Sequence, residues 1–143
     1  MIITRHTLEI LLISAGLLHL AITSAGFTMT VVLDWRRNLA PLSALTRHII
    51  WTHGAFVLLT IVAFGVVSLT FAHELSSGSA LARGVCAFIA LFWGVRLSIQ
   101  FFLFDARPFL ANRLLALGYH GLTFVFTYFT VIYALAALLT PRR

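Results

Sequence analysis

The chain has 143 residues, of which 61% are hydrophobic and only 10% charged; it is one domain in size, yet too poor in polar residues to cover itself in water. Ten arginines, no lysine and four acids give a formal charge of +6. Nine of those arginines sit at or near the ends of apolar runs, where they can reach lipid headgroups, so the charge marks membrane edges and argues against a nucleic-acid partner. The single cysteine, Cys86, excludes an internal disulfide.

The first apolar run covers about Leu8–Leu33. It opens after Arg5 and His6 and passes a loosely signal-like Thr23-Ser24-Ala25, but it continues through Phe27 and Met29. That is longer than a signal core, so it is read as a retained first span. Further runs cover about Ile49–Phe71, Ala80–Phe104 and Leu114–Leu139. Each can cross a hydrocarbon core of roughly 30 Å as a helix, the state that satisfies its own backbone where water is absent. Pro41, Pro108 and Pro141 all fall outside the runs.

Short links at Asp34–His48, Ala72–Ser79 and Asp105–Arg113 imply an up-down-up-down bundle. The expected fold is therefore all-α, a single polytopic four-helix transmembrane domain over residues 1–143. Both termini and the middle link share one side, side A; the other two links share side B. Arg5, Arg83, Arg142 and Arg143 on side A face Arg36, Arg37, Arg47, Arg107 and Arg113 on side B, a balance too even to orient the chain by positive charge. Trp35 and Trp51 suit the side B interface. A bacterial inner membrane is the expected location.

The two halves share a short pattern. Asp34-Trp35-Arg36 and Asp105-Ala106-Arg107 each follow a span, and Arg47 and Arg113 each precede a His-Gly pair, His53-Gly54 and His120-Gly121. This suggests a parallel repeat of two helical hairpins.

Polar residues inside the runs carry the functional reading. From side B, His53 lies roughly 8 Å deep, His120 and Arg96 roughly 12 Å, and Gln100 roughly 6 Å, with His19 near the middle of the first span. Arg96 and Gln100 share a helix face with Trp93 and Cys86. Gly16, His19, Thr23, Gly26 and Thr30 form a small, polar face on the first helix, and His120, Thr123, Thr127, Thr130 and Ala134 a similar one on the fourth; both are expected to turn inward. Arginine at a helix centre costs roughly 2.5–3.5 kcal/mol. No acid lies in a membrane interior, and Asp105 is roughly 13 Å from Arg96 along the helix. An anionic or carbonyl-bearing ligand would complete such a site.

These residues point to a redox membrane protein holding haem b, a quinone, or both. His53 and His120 are the expected haem-iron ligands with His19 as alternate, Arg96 would meet a propionate, and Gln100 or a histidine a quinone carbonyl. The architecture resembles small four-helix cytochrome b-type membrane subunits, a likeness of fold alone. Three other readings stand beside it: an accessory subunit of a larger membrane complex or a homo-oligomer, docking through the aromatic fourth helix; a histidine-lined proton or ion transporter; and a metal enzyme using His19, His53 and His120. Motifs of the common hydrolases and nucleotide-binding enzymes are absent from the sequence.

Overall fold

The computed structural model describes residues 4–103 and 113–139, and of Met29, Leu114 and Leu139 the backbone alone. Its helices are α1 (Arg5–Val32), α2 (Trp35–Leu39), α3 (Ala44–Thr70), α4 (Ala72–Leu75), α5 (Ala80–Phe102) and α6 (Arg113–Leu139). No strand occurs among the described residues. The helices α1, α3, α5 and α6 are long and apolar enough to cross a bilayer, so the chain is an all-α, multi-pass membrane protein. Phe104, Asp105, Arg107, Pro108, Pro141, Arg142 and Arg143 lie outside the described residues, and with them the second Asp-x-Arg of the suspected repeat.

Polar residues punctuate the spans where the apolar pattern breaks. Ser43 caps α3 by accepting from the Thr46 amide, and Ser79 caps α5 by accepting from the Ala82 amide, each satisfying a donor that the first turn leaves free. After α1 the chain reverses at Asp34, whose φ of 44° lies in the left-handed region that aspartate tolerates better than most side chains. Asn38 then donates to the Leu33 carbonyl at 2.7 Å. The short helices α2 and α4 fall where the sequence suggests links.

Packing makes two hairpins. α1 pairs closely with α3 and α5 with α6, and α1 joins the hairpins through α6. Within the first hairpin the backbones touch at two glycines: a Cβ built on Gly65 would stand 3.2 Å from the Gly16 carbonyl oxygen and 3.1 Å from the His19 Cβ. α3 and α5 meet through Phe64, which lies edge-on to Phe88 and Phe92, and a cavity lies to either side of that contact.

The core is an aromatic slab between the hairpins. Trp93, Tyr133, Phe129, Leu12, Ile89, His19, Cys86 and Ser68 are fully buried. Ser68 and Tyr133 hydroxyls bond across from α3 to α6, and Ser14 meets the Tyr128 hydroxyl at 2.6 Å between α1 and α6. At side A, Arg83 donates to the Ala137 carbonyl at 2.8 Å. Also there, Arg5 contacts His73 at 3.1 Å, whose other nitrogen lies 3.5 Å from the Glu9 carboxylate.

The inward face of α6 differs from the threonine face expected of it. Phe126, Phe129, Tyr133 and Ala136 are buried, whereas His120 and Thr127 are exposed. The reason is local. Thr123, Thr127 and Thr130 each donate to the carbonyl four residues back, at 2.8 Å. A hydroxyl satisfied within its own helix needs no partner across the bundle and tolerates lipid. Thr23, Thr28 and Thr60 do likewise.

Candidate functional site between the hairpins

His19 sits at the centre of the slab with no accessible surface. Its Nε2 faces the indole nitrogen of Trp93 at 3.0 Å. Indole only donates, so Nε2 must accept, and the ring proton is on Nδ1, which donates to the Ala15 carbonyl at 2.7 Å. The ring is thus a neutral imidazole with both nitrogens engaged. It stacks on Phe129 with centroids 3.9 Å apart and 22° between planes, and meets Phe64 and Tyr133 edge-on.

Trp93 continues the stack toward side B. Its ring lies on Phe126 at 4.9 Å and 24°, and the Arg96 guanidinium carbon stands 5.1 Å from the centroid of the same Phe126 ring. Along the α5–α6 pair Gln100 bonds the Thr123 hydroxyl and Gly94 faces Thr130, so Arg96 lies between these two contacts. It makes no hydrogen bond or ion pair with another described residue, and it is exposed where the site opens between the hairpins.

That opening is a cavity of about 480 Å³, within the range of small-molecule sites. All four spans line it: Gly26 and Thr30 from α1, Trp51, Gly54 and Leu58 from α3, Trp93 and Arg96 from α5, Gly118 and Phe126 from α6, with Trp35 of α2 at its side B end. Trp35 and Trp51 meet edge to face, centroids 5.7 Å apart. A second cavity of about 470 Å³ lies toward side A between α3 and α5, lined by Phe64, Val67, Leu81, Phe88 and other apolar residues, with nothing polar to orient a ligand.

Of the five side chains expected to gather, Arg96 lines the first cavity. His19 and Gln100 are buried and bonded to Trp93 and Thr123, tying helices together. His53 is exposed on α3, its Nδ1 donating to the Ile49 carbonyl at 3.2 Å, and its neighbour Gly54 is the residue in the lining. His120 is exposed on α6 and lies two residues past Gly118, about 200° around the helix, so it faces away from the cavity. Among the described residues, no three of His, Cys, Asp or Glu come together in a metal-holding group. Conversely, Trp35, Trp51 and Trp93 all line the site, although their sequence signal was only that of interfacial and packing aromatics.

Comparison with protein-family models, curated proteins and solved structures finds no match for this chain.

Proposed function

We propose that this multi-pass membrane protein is a redox-type quinone-binding protein, its ligand seated between the hairpins with a carbonyl against Arg96. One observation carries the reading: a guanidinium lines a ligand-sized cavity at membrane depth without an anion or acceptor among the described residues. The magnitudes agree. Arginine at a helix centre costs about 2.5–3.5 kcal/mol, and a cation–π contact such as that with Phe126 returns about 0.5–2 kcal/mol. A carbonyl oxygen accepting from the guanidinium supplies part of the remainder. The apolar and aromatic walls suit a flat ring and prenyl tail. A bound quinone would supply the electron-carrying chemistry; the chain's own part is to bind, orient and keep water from the ring. The haem half of the reading rests on His53 and His120, which stand outside this lining, whereas the quinone half rests on Arg96, which is in it.

Organic extraction of protein purified in mild detergent tests the proposal. Wild-type protein should release quinone in near-stoichiometric amount, and Arg96→Leu should lose most of it while remaining monodisperse and helical. Wild-type protein carrying no more quinone than its residual lipid accounts for would contradict the reading.

A further inference from the structure

The polar inventory of the cavity is one-sided. Arg96 offers its N–H groups with no acceptor among the described residues, and the indoles of Trp35 and Trp51 make no hydrogen bond within the described chain. Trp93, the third indole, already donates to His19. On the accepting side the lining has a single side-chain oxygen, that of Thr30, whose hydroxyl proton goes to the Phe27 carbonyl; it lies near the side B end of α1, away from the Arg96–Phe126 pair. Gln100, the nearest amide to Arg96 on α5, is outside the lining.

We infer that the site selects ligands whose polar head accepts hydrogen bonds and donates none, so that it holds an oxidised quinone in preference to the corresponding quinol. The inference rests on the quinone reading above and adds a discrimination to it. A quinone presents only carbonyl acceptors, one of which would face Arg96. A quinol presents two hydroxyl protons that must find acceptors, and beside the guanidinium the lining offers no side-chain acceptor. Leaving such a donor unmatched in a dry site weakens binding by roughly tenfold.

Titration calorimetry in detergent micelles under anaerobic conditions, with decylubiquinone and separately prepared decylubiquinol, tests it. The expected result is binding of the quinone roughly tenfold or more tighter than the quinol. Arg96→Lys, which keeps a charged donor, should retain the preference, and Arg96→Gln, which brings an acceptor into the wall, should narrow it with the helical content unchanged. Equal affinities in the wild type, or tighter quinol binding, would overturn the selectivity and leave the quinone reading standing. Binding of neither form would overturn the quinone reading itself.

Discussion

The indole N–H of Trp93 donates to Nε2 of His19 across 3.0 Å, linking α5 to α1 and so the second hairpin to the first. The bond lies in a fully buried stack in which His19 rests on Phe129 and Trp93 on Phe126. Its energy should be measurable. A double-mutant cycle of His19→Ala and Trp93→Phe, followed by unfolding in denaturing detergent, should give a coupling of about 0.6–1.7 kcal/mol, as interhelical bonds in membranes do. Each single variant should lose about 2 kcal/mol or more, because each also opens a void. A coupling of zero would mean that stacking alone joins the hairpins.

The contact of Gly16 with Gly65 yields a second expectation. Gly65→Val drives a branched side chain into the Gly16 carbonyl and the His19 Cβ and should destabilise the protein by about 1–3 kcal/mol. At Gly84 and Gly121 an added Cβ meets nothing within 4 Å. Alanine at either should stay within about 0.5 kcal/mol of wild type. The same unfolding assay checks all three, and a benign Gly65→Val would contradict the close crossing of α1 and α3.

Threonines on α6 separate by role. Thr123 accepts from Gln100, so Thr123→Val strands a buried amide and should cost about 1 kcal/mol. Thr127 faces outward and bonds its own helix. Thr127→Val should be nearly neutral in the same assay; a large loss there would place that face inside the bundle.

Cys86, the chain's sole thiol, has no accessible surface. In folded protein in mild detergent it should resist a maleimide reagent, and after denaturation it should react fully. Rapid labelling of the folded protein would contradict the packing of α5 against its neighbours.

Apolar run length made the four spans legible, since backbone satisfaction in lipid admits few alternatives. Arg96 was also legible, because a charge at that depth stands out. The faces of the helices were not. A threonine that bonds back to its own carbonyl looks the same in sequence as one that bonds across, so Thr127 suggested an inward position, whereas Phe126, Phe129 and Tyr133 are the residues buried there. With that face rotated, His120 turns outward. Trp93 was hidden for a different reason: its role depends on meeting His19, which lies 74 residues away.

The central claim is that the space between the hairpins, with Arg96 in its wall, holds a quinone. All three tryptophans of the chain line that space, so intrinsic fluorescence reports on it directly. Titrating detergent-solubilised protein with decylubiquinone should quench the emission saturably, with one ligand per chain, and Arg96→Leu should weaken that binding about tenfold or more. Quenching that rises linearly without saturation, and identically in the variant, would show only collision in the micelle and would contradict the claim.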